Sequence, residues 1–390
     1  MNITTEEVQR QQPFFYWLSS VEGIGNLTIR RLLGVMDKPE RIYYATKTEL
    51  LELKEKKILG EKQFYNLQEA RKNANIYSAY DKLQEEKISM IPFYHPEYPE
   101  RLRNIPDPPA VLFVKGQLPV PEKKSLAVIG ARNCSAYGKR MAQEFAGFLG
   151  NKGIQIISGM ARGVDGISQM AALTAGGKSF GVLGCGVDIC YPGQNREVYE
   201  ELIRNGGVIS AYRPGTKPQS RYFPPRNRII SGLADALLVI EAREKSGTLI
   251  TVDMALEQGK EVYALPGRVG DPVSEGCNRL IAQGAGVALS PDALFAEISG
   301  VTKCARQEYA WDSGCLTEFP VPSHFNEIEC QIYQILDDYP KTLEEIYEEL
   351  EKSYKSTIKI CNLMQIMVEL CIQKYAEPVN GGLAYIKRKP

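Results

Sequence analysis

The residues with chemistry to offer in this 390-residue chain are arginines set beside glycines. They fall in Gly130-Ala131-Arg132, in Gly159-Met160-Ala161-Arg162-Gly163, in Arg213-Pro214-Gly215 and in Pro266-Gly267-Arg268. Two further segments, Gly184-Cys185-Gly186 and Glu241-Ala242-Arg243-Glu244-Lys245-Ser246-Gly247-Thr248, have the same small-residue character. Glycine lets a ligand approach the backbone, and arginine presents forked donors that match phosphate oxygens. Ser246-Gly247-Thr248 opens a helical stretch and reads as a phosphate cradle. Phe223-Pro224-Pro225-Arg226-Asn227-Arg228 adds two more arginines. The chemistry these residues point to is the binding of a phosphate-rich polyanion.

Equipment for catalysis is sparse. The only histidines, His95 and His324, lie outside the segments above, and no Ser/His/Asp or metal-ligand spacing occurs. Asp165, in Arg162-Gly163-Val164-Asp165-Gly166, is the carboxylate most like a site residue; the expectation is that it caps the following helix and pairs with Arg162. A dinucleotide site would need GxGxxG where the chain has Gly130-Ala131-Arg132-Asn133-Cys134-Ser135, and no P-loop is present. The alternative is a nucleotide-processing enzyme of phosphoribohydrolase type using Ser246–Thr248, but Asp253 is poorly spaced to supply its carboxylate. No catalytic residue, metal or cofactor is therefore expected. Nine cysteines without a CxxC pair read as reduced thiols of a cytoplasmic protein.

Formal net charge is zero, so no global positive field attracts nucleic acid, and any polyanion must be met by local placement of Arg and Lys. The first residues lack the basic start and apolar run of a signal peptide, and no apolar stretch is long enough to span a membrane.

The elements that must position these residues alternate. Apolar runs at Leu126–Ile129, Ile154–Ser158, Ser179–Leu183, Val208–Ala211, Ala236–Ile240 and Val262–Leu265 read as strands. Helical stretches at 137–149, 166–175, 196–204 and 248–258 separate them. This predicts an α/β fold, a Rossmann-like, mostly parallel sheet with helices on both faces, whose post-strand loops carry the arginines along one edge. Residues 1–80 read as a helical, helix-hairpin-helix/SAM-like domain with a two-glycine turn at Val21-Glu22-Gly23-Ile24-Gly25. Residues 81–124, rich in proline, connect it to the sheet and end in a short strand at Val111–Val114, so 81–300 form the extended Rossmann-like domain. A linker at 301–322 follows. Residues 323–390, three helical runs and a hairpin with Asn380-Gly381-Gly382 at its tip, describe a winged helix. That last piece carries eight Lys and Arg against eleven Asp and Glu, a net charge of −3, and is expected to contact protein rather than DNA.

From residue 94 to 285 the motifs come in a recognisable order: Ser158-Gly159-Met160-Ala161-Arg162-Gly163-Val164-Asp165-Gly166, Gly181-Val182-Leu183-Gly184-Cys185-Gly186-Val187-Asp188, Tyr191-Pro192, Phe223-Pro224-Pro225-Arg226-Asn227-Arg228-Ile229-Ile230, Ser246-Gly247-Thr248 and Pro266-Gly267. In this the chain resembles the DNA processing protein A (DprA/Smf) family. The resemblance implies a homodimer that binds single-stranded DNA and loads the recombinase RecA during natural transformation. It also implies backbone contacts from Arg132, after the first strand, and from Lys178, which opens the third. One departure is Gln169, where the family usually has histidine.

Overall fold

The structure, a computed structural model, describes residues 5–72, 75–300, 322, 324–337, 340–354, 358–379 and 384–387. The chain divides into two compact units, Met1–Val301 and Thr302–Pro390.

Six helices open the first unit: α1 (Thr5–Ser20), α2 (Asn26–Met36), α3 (Pro39–Tyr44), α4 (Lys47–Glu55), α5 (Glu61–Lys72) and α6 (Ile76–Glu85). Then come β1 (Ile88–Pro92), α7 (Glu100–Arg103) and β2 (Val111–Gly116). The alternating part runs β3 (Ser125–Ile129), α8 (Ala136–Asn151), β4 (Gln155–Ser158), α9 (Val164–Thr174), β5 (Ser179–Val182), α10 (Arg196–Asn205), β6 (Gly206–Ser210), α11 (Phe223–Leu233) and β7 (Ala236–Val239). It ends with α12 (Gly247–Glu257), β8 (Glu261–Ala264), α13 (Glu275–Ala282), β9 (Gly286–Val287) and α14 (Pro291–Ser299). One nine-stranded sheet results, in the order β1-β2-β6-β5-β4-β3-β7-β8-β9. The seven strands from β3 onward are parallel, and β1 and β2 extend the β6 edge antiparallel.

Each strand is an apolar run because both faces are covered, and successive side chains go to opposite layers. On β3, Leu126 and Val128 pack with Phe145 and Leu149 of α8, whereas Ala127 and Ile129 pack with Ile229 and Ile230 of α11 and Val252 of α12. The N-terminal helices cover the sheet over β1, β2 and β6. Phe14, Phe15, Trp17 and Leu18 share one buried cluster with Met90, Phe113 and Val208.

Two local expectations are corrected. The proline-rich stretch after residue 81 is more than a connection ending in one strand: α6 reaches Glu85, a short α7 forms between Pro99 and Pro106, and a second strand, β1, pairs with β2. Phe223-Pro224-Pro225 is not loop but the first turn of α11, where a missing N–H costs nothing and a fixed φ suits the helix.

The second unit contains α15 (Glu327–Ile335), β10 (Lys341–Thr342), α16 (Leu343–Tyr354), α17 (Ile360–Ile372), β11 (Ala376–Val379) and β12 (Ala384–Lys387). The strands form an antiparallel sheet in the order β10-β12-β11, over a core that includes Ile332, Leu350, Leu363 and Met367. Residues 301–321 of the expected linker and the Asn380-Gly381-Gly382 tip lie outside the described residues. Among the described residues no helix is long and apolar enough to cross a membrane.

Candidate nucleic-acid interface

Strand order reverses at β3, whose neighbours β4 and β7 lead the chain away in opposite directions. A crevice opens at the carboxyl ends of the strands at such a point. Here it holds a cavity of about 690 Å³ lined by Gly130, Arg132, Arg226, Asn227, Ser246, Gly247 and Thr248, with Arg243 at its side. A smaller one of about 240 Å³ shares Arg132 and Arg226 and adds Gly159 and Arg162. The crevice thus gathers residues spread over more than a hundred positions of sequence.

The β3 and β4 loops are packed against each other through their backbones. Gly163 has φ +73°, and a Cβ placed there would lie 2.3 Å from the Ala131 carbonyl oxygen and 2.5 Å from that of Arg132. Gly130 likewise leaves room only for Val164 of α9, and Gly159 only for Asp165 and Arg226. These glycines let loop pack on loop at Gly163 and helix side chains pack on loop at Gly130 and Gly159, which fixes where the neighbouring side chains emerge. Gly247, by contrast, borders open space.

Arg226 is buried, at 6% exposure. Its guanidinium donates to the carbonyl oxygens of Gly159 (2.8 Å) and Val182 and stands beside the Asp165 carboxylate. Burial pushes the Asp165 carboxyl up, and the Arg226 charge opposes that shift. Asp165 Oδ2 accepts from the backbone N–H groups of Gly159 (3.2 Å) and Ala161 (3.4 Å). It therefore sits inside the first turn of α9, folded back on the loop, and its cationic neighbour is Arg226 rather than Arg162. Arg228 is drawn away in the other direction. It bonds to the Asp107 carbonyl (2.7 Å) and pairs with the Asp107 carboxylate (3.2 Å), beside a separate cavity of about 660 Å³ that also includes Gly25 and Arg213.

What remains free for a ligand is side-chain charge and one helix end. Arg132, Arg162 and Arg243 are exposed and form no ion pair among the described residues. The N-terminus of α12 faces the cavity through Ser246, Gly247 and Thr248. Thr248 Oγ1 donates to the Gly130 carbonyl (3.3 Å), tying this helix to the β3 loop, while Ser246 Oγ has no hydrogen-bond partner among the described residues. Glu241, at the end of β7, is spent elsewhere: its carboxylate accepts from Ser135 N (2.9 Å) and Ser135 Oγ (2.5 Å) at the start of α8. Burial raises its pKa, and the Ser135 bonds counter that.

Two residues at the crevice escaped the sequence reading as ligand groups. Tyr191 and Phe223 stack with ring centroids 5.6 Å apart and planes 19° apart, and both line the two cavities. Tyr191 is 43% exposed, a large surface for an aromatic ring. The available signal was an aromatic next to proline in each of two segments already carrying arginine or glycine. Lys178 is not brought here. It precedes β5, its carbonyl accepting from Ile156 N (3.0 Å), and so lies at the amino edge of the parallel strands, whereas Arg132 follows the carboxyl end of β3. A four-residue strand such as β5 separates the two edges by roughly 13 Å.

The family model for DNA recombination-mediator protein A matches residues 89–299. DNA processing protein DprA of Bacillus subtilis (strain 168) is 41% identical over 216 residues, covering 55% of this chain and 73% of that protein. Protein Smf of Synechocystis sp. is 34% identical over 292 residues, 73% of each chain. Among solved structures, DNA processing protein A from Streptococcus pneumoniae is similar with a TM-score of 0.63 at 32% identity, over 76% of this chain and 99% of that one. DNA processing protein A from Helicobacter pylori, solved for its single-stranded DNA binding mode, gives 0.50 at 28% identity over 55% of this chain and 97% of its own.

Proposed function

The chain belongs to the DNA recombination-mediator protein A family, and from that premise we propose that it holds single-stranded DNA by its phosphate backbone along the carboxyl edge of the sheet. The observation that carries the reading is the convergence of Arg132, Arg162 and Arg243 with the α12 N-terminus and the Tyr191–Phe223 pair around one crevice. Arginines and a helix end suit phosphates, and an exposed aromatic offers a base a stacking surface without asking which base it is. Arg226, Asn227 and the glycines shape the crevice; Lys178 and Arg228 stand outside it.

In the same reading the protein helps load RecA recombinase onto the strand during natural transformation, acts as a homodimer in the cytoplasm and catalyses no reaction. Exposed Val269, which follows β8, and Val287 and Leu289, at the end of β9, support a protein contact at that edge. Residues 1–80 act as a helix-hairpin-helix/SAM-like layer, 81–300 as the DNA-binding domain, 301–322 as a linker and 323–390 as a winged helix. Three helices with a three-stranded antiparallel sheet support the last assignment, and the net charge of −3 supports a protein-contact role for it. A nucleotide-processing role finds poor support, since Asp165 is buried and already accepts two backbone N–H groups.

The test is fluorescence anisotropy of a labelled single-stranded oligonucleotide at several salt concentrations. Affinity is expected to fall with a log–log slope of roughly −0.7 per phosphate neutralised, and Arg132→Ala to lower that slope by about one such step. Equal affinity for duplex DNA, or no salt dependence, sinks the proposal. Release of base from nucleoside monophosphates, abolished by Asp165→Ala, would establish the enzyme reading instead.

A further inference from the structure

Glycine-rich loops after strands commonly bind phosphate through backbone N–H groups. The β4 loop has none to give at its first three residues. The N–H groups of Gly159 and Ala161 donate to Asp165, and that of Met160 donates to Gln169 Oε1 at 3.1 Å. The carbonyls are also taken. Arg226 donates to Gly159, and Asn195 Nδ2 donates to both Met160 (3.0 Å) and Ala161 (2.9 Å). All six backbone groups are held by side chains from α9, α10's start and α11. At the centre of this arrangement Met160 has φ +53°, in the left-handed region that a residue with a Cβ rarely adopts, and its side chain is fully buried. Arg162, next along, is exposed at the crevice.

We propose that Asn195 and Gln169 are positioning residues for DNA binding: they hold the Met160 turn in its left-handed conformation so that Arg162 is presented ready-set to a phosphate. Neither touches the strand. Asn195 is the stronger case, because one amide clamps two successive carbonyls from across a gap of 33 or more residues. Gln169 is fully buried and gives its oxygen to Met160 N, a role in the loop rather than in chemistry. The inference rests on the proposed single-strand site, and it concerns pre-organisation. If loss of the clamp leaves the competent turn about one-tenth populated, apparent Kd rises roughly tenfold with no contact removed.

The experiment measures affinity and salt slope for a labelled oligothymidylate with full-length wild type, Asn195→Ala, Arg162→Ala and the double variant. Arg162→Ala is expected to weaken binding and flatten the slope by about 0.7. Asn195→Ala is expected to weaken binding roughly tenfold with the slope kept, and the double variant to lose less than the product of the two. Arg162→Ala binding like wild type overturns the site itself. If Arg162→Ala weakens binding but Asn195→Ala does not, or the double variant equals the product, the positioning role alone is overturned. Asn195→Asp guards against misfolding, since Asp is as good a residue at the start of α10 yet cannot donate to the carbonyls. Its amides at 159–161 should exchange hydrogen faster while the rest of the first unit stays protected; unchanged protection refutes the clamp.

Discussion

Sequence reads Arg226 as a phosphate ligand, whereas its burial and its bonds to two carbonyls predict a structural cation, and one substitution separates the two readings. Arg226→Met removes the donors to the Gly159 and Val182 carbonyls and leaves Asp165, at 8% exposure, without its cationic neighbour. Stranding two buried carbonyls at about 1–3 kcal/mol each, beside a carboxylate that loses its neighbouring charge, costs about 3–5 kcal/mol in all. For a unit of some 300 residues, an unfolding entropy of about 2.1 cal/mol/K per residue turns that cost into a Tm drop of roughly 5–8 °C. Asp165→Asn should also destabilise, stranding the arginine instead. The double variant Asp165→Asn/Arg226→Met should lose clearly less than the two singles together, since neither charge is then left alone. Scanning calorimetry of the full chain, following the transition of the first unit, gives all three values. Anisotropy at a temperature where Arg226→Met is folded should give a salt slope equal to that of wild type. A variant melting within about 2 °C of wild type, with its slope flattened by about 0.7, would refute the reasoning and return Arg226 to the phosphates.

Gly163→Ala should destabilise the first unit by at least about 2 kcal/mol in urea titration, because its Cβ would meet the Ala131 and Arg132 carbonyls and its φ is left-handed. Lys178→Ala should leave both affinity and salt slope for single strands unchanged, as its residue lies at the far edge of the sheet; a flattened slope would mean that the strand runs along both edges. His95 gives a pH signature. Burial lowers its pKa, and Nδ1 accepts from Glu97 N at 3.1 Å, so the folded chain prefers the neutral ring. That stability is present above the unfolded value and is lost as pH falls through the lowered folded one. Wild type should therefore lose stability relative to His95→Asn between about pH 7 and pH 5, read from urea midpoints.

The strands were legible because a buried parallel sheet writes each one as a short apolar run: Ser125–Ile129, Gln155–Ser158 and Ala236–Val239 fall within a residue or so of their expected bounds. The crevice was legible as a set of post-strand loops for a related reason, since strand ends on one edge must face one solvent space. What sequence did not carry is where each arginine spends its charge. Arg226 is 61 positions from Asp165 and Arg228 is 121 from Asp107, and only the fold brings these partners together. Sequence also set Arg226 among the post-strand loops, whereas it lies in the first turn of α11, where the two prolines before it suit the helix start. The glycines of the β4 loop read as phosphate ligands in sequence, and the fold adds a second demand on them: backbone carbonyls at Gly163 and the side chains of Asp165 and Arg226 at Gly159 leave no room for a Cβ.

The shared cluster beneath the N-terminal helices bears on how this chain can be cut. Phe14, Phe15, Trp17 and Leu18 are part of the same interior as Met90, Phe113 and Val208 of the sheet, so a fragment starting after residue 85 would bare a greasy wall and aggregate. The second unit, by contrast, keeps Ile332, Leu350, Leu363 and Met367 in an interior of its own, so a cut within the N-terminal helices leaves that interior intact.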